Sequence, residues 1–449
     1  MKKTFKFIGI IVLVFVLYFI VTTYQKLDLI SGFASKNVAS AHFIGQRNLK
    51  LIQQTDNDMS LIDLAKNEID GTEKSASASV YGLKTRKAIY REGLGATLID
   101  NNYDVSKPYL TPKRTNIKIN LPFPYGDLEP RDTVFSNIDY DKLKRAVDNA
   151  FDENGLKNKR SRSVLVLYKD KIVAEKYDKN FDKNSKILGW SMTKSVTQAV
   201  FGILQKQKKI DIYQPAPIVE WKNDERKNIT INDLLHMNSG LEWEEDYTKI
   251  CDATQMLFQA TDMTQSQLLK PAKFKPNTHW NYSSGTTNLL SGILRNQFRT
   301  HQEYLDFWYA ELIDKIGMHS MIIETDMTGN FVGSSYGWAT TRDWSKFGLL
   351  YLHNGNWNGT QILDKSWVDY TRVPAKNSNG IYGAHFWLNA GGRYPDAPRD
   401  LYSCNGFQGQ KLFIIPSHDL VIVRMGLKGQ EDGFDFNGLL KGIVGSIKK

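Results

Sequence analysis

A serine and a lysine stand three residues apart in LGWSMTKSVTQAV, Leu188–Val200. A serine hydroxyl is a poor nucleophile until a neighbour accepts its proton, and a neutral amine one helical turn away can do so. Side chains at i and i+3 of a helix share a face, so Ser191 and Lys194 can approach each other. A lysine partly buried near a helix N-terminus, close to other positive groups, has its charged form disfavoured, as a base requires. The spacing alone is weak: it recurs at Ser446 and Lys449 in the C-terminal tail, where nothing suggests chemistry. The plain alternative is an N-cap serine beside a solvent-facing lysine. Two other stretches add weight. In KFKPNTHWNYSSGTTNLL, Tyr282 stands just before a helix, where its hydroxyl can shuttle a proton between serine and leaving group or simply pack. In LYSCNGFQGQKLFIIP, glycines precede a strand whose exposed edge can offer a backbone N–H to an oxyanion, or merely mark a strand entry.

These residues need elements to hold them. Val196, Ala199, Val200, Ile203 and Leu204 follow a helical period, which predicts a helix from about Trp190 or Ser191 with Ser191 in its first turn. Further helices are signalled within Ile138 to Asp152, in TINDLLHMNSG, in SSGTTNLLSGILRNQ, in TTRDWSKFGLLYLHNG with Thr341 as N-cap and Gly355 beyond its end, and from Gly438 to Ile447. SVLVLYKDKIVAEKY reads as a hairpin, and Leu412 to Ile415 and Leu420 to Arg424 as two strands joined by Pro416 to Asp419. The order helix, hairpin, helical insert, hairpin, helix predicts one antiparallel sheet built from both ends of the main domain, flanked by helices, with a cleft against the inserted lobe. The main domain is assigned to 136–449 with the lobe at about 200–370. Residues 26–135 show no clean periodicity and read as an irregular extension packed on it.

With 449 residues and 41% hydrophobic content, the chain can bury a large core. The excess of 58 lysines and arginines over 48 acidic residues is modest and spread out, and no nucleic-acid motif accompanies it. The eight histidines and two cysteines lack metal-ligand spacing, so no metal or cofactor is expected. Lys2, Lys3 and Lys6 precede an apolar run from Phe7 to Val21. This is the pattern of an export signal, close to the roughly 20 residues of a membrane span. The expectation is an uncleaved anchor over 1–25 with the catalytic body in the periplasm, a cleaved signal being the alternative.

In this order, LGWSMTKSVT, WNYSSGTTNLLSGIL and GFQGQKLFIIPSHDLVIV resemble the penicillin-recognising serine hydrolases, whose first motif is S-x-x-K. ITINDLLHMNSGLEWEEDY and ATTRDWSKFGLLYLHNGNWNGTQIL narrow the resemblance to the branch of class C β-lactamases, D-alanyl-D-alanine carboxypeptidases, esterases and 6-aminohexanoate-dimer hydrolases, most closely the last. It runs from about residue 31, through SGFASKNVASAHFIGQR and GLGATLI, to the end. The resemblance implies a β-lactamase/transpeptidase-like α/β fold of the α+β type. It implies a nucleophile at Ser191, a base at Lys194 and a proton relay at Tyr282. The oxyanion would meet the backbone N–H groups of Ser191 and Phe407, and Tyr247, Asn405 and Gly406 would contact substrate. Two motifs depart from the pattern: Y-x-N reads Tyr282-Ser283-Ser284, and Cys404-Asn405-Gly406 stands where K-T-G or H-T-G is found. Without that cation a substrate carboxylate lacks a charge-assisted partner, which favours a small-molecule amide or ester. A peptidoglycan-directed carboxypeptidase or weak β-lactamase, and an inactive binding protein, are the alternatives. Cys251 and Cys404 flank the proposed cleft, as two free thiols or, in an oxidising compartment, as a bridge.

Overall fold

The computed structural model describes residues 2–448 except 116, 154 and 155, and leaves undescribed the side chains of 2–6, 9, 11, 12, 15–17 and 19–23. The chain opens with one long helix, α1 (Lys2–Phe43), followed by α2 (Leu49–Gln54). Four antiparallel strands come next, β1 (Ala65–Asp70), β2 (Ser75–Val80), β3 (Leu83–Arg91) and β4 (Gly95–Ile99), paired in sequence order. The C-terminal half of α1 lies across this sheet, packing Ala34, Val38 and Ala41 with Ala76, Ala78, Ala88 and Ala96. The irregular extension expected over 26–135 is therefore corrected for 26–99. Alanine lines the covered face so that a helix can approach closely, and strands such as SASASV lack the branched and aromatic alternation by which strands are recognised. Among the described residues no helix is long and apolar enough to cross a membrane, so the anchor expected over 1–25 is not supported; most of its side chains lie outside those described.

The main domain begins with α3 (Tyr140–Asp148) and the expected hairpin, β5 (Ser161–Tyr168) and β6 (Lys171–Tyr177). The inserted lobe follows: β7 (Lys186–Leu188), α4 (Thr193–Lys206), α5 (Ile231–Leu235), α6 (Asp252–Phe258), α7 (Gln265–Leu268), α8 (Ser284–Arg295), α9 (His301–Trp308), β8 (Ile322–Ile323), β9 (Gly337–Thr340) and α10 (Thr341–Leu352). Then come β10 (Asn356–Trp357), β11 (Thr360–Gln361), α11 (Lys365–Thr371), β12 (Trp387–Leu388), β13 (Tyr402–Gly406), β14 (Gln410–Ile415), β15 (Leu420–Gly426) and α12 (Phe436–Val444). The main sheet runs β12-β13-β14-β15-β5-β6, all antiparallel, and joins the two ends of the domain as expected.

Both faces of this sheet are buried, and alternation decides which residue faces what. Val164, Val166, Phe413, Ile415 and Ile422 meet the layer of α3 and α12. Leu165, Leu167, Leu412, Ile414 and Val423, with Tyr402 and Cys404, face α4 and α10. The small sheet β7-β9-β8 sits beside the start of α4. Two boundaries differ from expectation: α4 starts at Thr193, leaving Ser191 in the turn before it, and the cap of α10 is Thr340, whose Oγ1 accepts from Asp343 N at 3.1 Å.

A buried ion pair ties the N-terminal unit to the domain. Lys36 Nζ of α1 lies 2.8 Å from Glu324 Oε2, and the same carboxylate accepts from Ser40 Oγ, Ala96 N and Trp338 Nε1. A buried pair is tolerable only when its remaining lone pairs are used, as they are here. The packing is close enough that a Cβ at Gly32 of α1 would lie 2.2 Å from Phe258 O of α6.

Candidate active site

The nucleophile candidate sits in a strained turn. Trp190 adopts φ +48°, in the left-handed region that a bulky residue rarely occupies, and such strain concentrates where geometry serves function. The turn is held by Thr193 N and Oγ1, which donate to Trp190 O at 3.0 and 2.7 Å, and the Trp190 ring is flanked by Phe33 and Phe407. Ser191 is half-buried, and Lys194, one turn along, is 1% exposed.

Lys194 Nζ lies 3.0 Å from Ser191 Oγ, 2.9 Å from Ser284 Oγ and 2.9 Å from Ser334 O. A carbonyl can only accept, so one N–H goes to Ser334. Ser284 spends its own proton on Glu245 Oε1 at 2.8 Å, so a second N–H goes to Ser284. A neutral amine then has its lone pair left for the Ser191 proton. Burial pushes the Lys194 amine down to about 8, against the opposing pull of the Glu245 charge. The Tyr282 ring lies 4.9 Å from Nζ, which brings the tyrosine to the Ser191–Lys194 pair. Burial and, next, the Glu245 charge hold that phenol well above its ordinary range, so it stays protonated and able to donate. Ser283 N-caps α8 by accepting from Thr286 N at 2.9 Å, which fixes Tyr282 just outside the helix.

Glu245 is a centre that sequence reasoning missed. Its carboxylate accepts from Trp243 Nε1 at 2.9 Å, Tyr247 OH at 2.8 Å, Ser284 N at 2.6 Å and Ser284 Oγ. In EWEEDY it stands among Glu242, Glu244 and Asp246, and no sequence signal separates it from them. Because its charge raises Lys194, replacing Glu245 by Gln should move the rising limb of the pH profile of kcat/KM to lower pH, from a starting point near 8. One mismatched amide hydrogen also lowers kcat at the optimum roughly tenfold. An unmoved limb would mean that Lys194 is not the group titrating.

Tyr247 lies beside the nucleophile turn, with its ring 5.1 Å from that of Phe407. The end of β13 reaches the nucleophile turn: a Cβ at Gly406 would lie 2.0 Å from Gly189 O, so only glycine permits this approach. Phe407 follows directly. Asn405 is not brought to the site. It shares the α12 face of β13 with Ser403, and its amide, donating to Cys404 O and Ser403 Oγ, accepts from Lys411 Nζ at 3.1 Å. Cys404 faces α4 instead, and burial pushes its thiol up to about 12. Cys251 and Cys404 are both free and buried, the first of the two alternatives, and no bridge forms between them.

The profile of the Beta-lactamase family matches residues 148–436. The 6-aminohexanoate-dimer hydrolase of Paenarthrobacter ureafaciens is 22% identical over 322 residues, covering 66% of this chain and 80% of that protein. Among solved structures, a penicillin-binding-protein homologue from Caulobacter crescentus aligns with TM-score 0.55 at 13% identity, over 71% of this chain and 100% of its own. A family VIII carboxylesterase aligns with TM-score 0.55 at 14% identity, over 71% and 100%. At these identities the structural likeness shows the fold alone.

Proposed function

We propose, from the premise that this chain belongs to the Beta-lactamase family of serine hydrolases, that it cleaves amide or ester bonds of small molecules through an acyl-enzyme on Ser191. The observation that carries this reading is the contact set of Lys194, two acceptors holding its N–H groups and Ser191 Oγ at 3.0 Å in the remaining direction. Lys194 takes the hydroxyl proton as Ser191 Oγ attacks the acyl carbon. Tyr282 passes a proton to the departing oxygen or nitrogen, and water then releases the acid by the reverse relay. The N–H groups of Ser191 and Phe407 serve the oxyanion, and Tyr247 closes the site from the other side.

Cys404, a buried thiol, and Asn405, turned to the α12 face, put no cation of the third motif at Ser191, which supports an ester or linear amide over a carboxylate-bearing β-lactam. The names of the relatives, a dimer hydrolase and a carboxylesterase, accord with either bond. The test is intact mass after brief reaction with p-nitrophenyl acetate and acid quench. One added acetyl group that maps to Ser191 and is absent from Ser191→Ala is expected; no adduct, or equal labelling of both proteins, would leave Ser191 without a nucleophilic role. The lysines ahead of the Phe7 to Val21 run support export of the catalytic body to the periplasm.

A further inference from the structure

A cavity of about 600 Å³ opens beside the catalytic turn, within the range of small-molecule sites. Three residues connect it to the chemistry: Trp190 precedes the nucleophile, Phe407 carries an oxyanion N–H, and Tyr247 hydrogen-bonds Glu245. Its apolar walls include Leu29, Ile30 and Phe33 of α1, Met59 and Ile62 beyond it and Phe258 of α6, with charged side chains, Asp58, Arg160 and Lys249 among them, elsewhere in the lining. Of these apolar residues, all but Phe258 lie outside residues 148–436, the part matched to the family model, so the N-terminal unit helps to shape the pocket.

The side of the nucleophile on which it lies says what it holds. A leaving group must sit beside the residue that protonates it, Tyr282, whose flank is built by Trp387 and Tyr382 with rings 5.3 and 5.7 Å away. None of these three lines the cavity. The acyl arm therefore points the other way, past Phe407 and Trp190 toward α1.

We infer that the substrate is an ester or amide of a medium- or long-chain fatty acid, or an acid of like apolar shape, whose acyl arm occupies this cavity. The inference rests on the serine-hydrolase reading above. In the step it serves, a bond forms between Ser191 Oγ and the acyl carbon while the bond to the leaving oxygen or nitrogen breaks. The serine proton passes to Lys194, and the leaving atom receives one through Tyr282.

The test uses the full chain with p-nitrophenyl acetate, butyrate, octanoate and dodecanoate. kcat/KM should rise with chain length, by about fourfold for each methylene fully buried. Leu29→Trp and Met59→Trp, which fill the cavity from two separate segments, should each collapse the octanoate-to-acetate ratio toward one. A wild-type preference for acetate, or a ratio unchanged in both variants, would overturn the inference while leaving Ser191 chemistry intact. Should no ester be turned over, calorimetry with dodecanoate still decides. Binding to the wild type that is lost in the two variants upholds the pocket, and absent or unaltered binding removes it.

Discussion

Lys194→Ala should lower kcat/KM for p-nitrophenyl acetate by about 10²- to 10⁴-fold, the contribution of a positioned base, in a protein that still folds. Among the described residues, the Lys194 amine is the group hydrogen-bonded to Ser191 Oγ that can accept its proton, because Tyr282 is held protonated by burial and by Glu245. Removing it leaves Ser284 Oγ and Ser334 O each short of a donor, a cost of about 1–3 kcal/mol, but also ends the burial of a basic group. The two effects oppose each other, so the melting temperature should move far less than the rate. The pH profile separates the base from a packing role. Lys194 is pushed from 10.5 down to about 8 in the folded chain, so wild-type kcat/KM climbs as pH rises through about 8 and the neutral amine forms. Stability carries the same signature. Between about 8 and 10.5 the unfolded chain holds the lysine proton and the folded one does not, so stability rises with pH across that window and the site costs most below it. Both slopes should vanish in Lys194→Ala. Near-normal turnover with the limb retained would move the base elsewhere.

What could be read from the sequence follows from how local each signal is. The Ser161–Tyr177 hairpin, α8 and the paired strands β14 and β15 each carry their period within a dozen residues, and they form where expected. The convergence of Ser191, Lys194 and Tyr282 spans about 90 residues and has no local signature; only the order of motifs suggested it. The N-terminal sheet escaped notice because a face of alanines under a helix looks like no strand pattern at all. Asn405 was misplaced for a different reason. A strand one residue out of phase turns every side chain over, and no feature of YSCNG says whether Cys404 or Asn405 faces α4. Glu245 was hidden by its acidic neighbours, since which of four carboxylates meets Ser284 depends on a loop path that α8 and Trp243 impose.

Gly406→Ala is the substitution expected to damage catalysis most from outside the proton relay. Its Cβ would sit 2.0 Å from Gly189 O and 3.1 Å from Gln410 Cβ. The first is a backbone atom in the turn that precedes Trp190 and Ser191, so no side-chain rotation relieves the clash. Either the end of β13 retreats or the nucleophile turn does, and both carry an N–H proposed to serve the oxyanion. A displacement of about 1 Å can cost on the order of 10²-fold, comparable to losing one oxyanion donor outright. The loss should fall on kcat and on the rate of acetyl-enzyme formation, with KM little changed, since the donors act on charge that develops only in the transition state. Gly71→Ala, where a Cβ would meet nothing within 4 Å, is the control and should behave as wild type. If Gly406→Ala melted earlier yet acylated at the wild-type rate, the close approach would be a packing feature alone. The second oxyanion donor would then have to come from a segment other than the one that Phe407 begins.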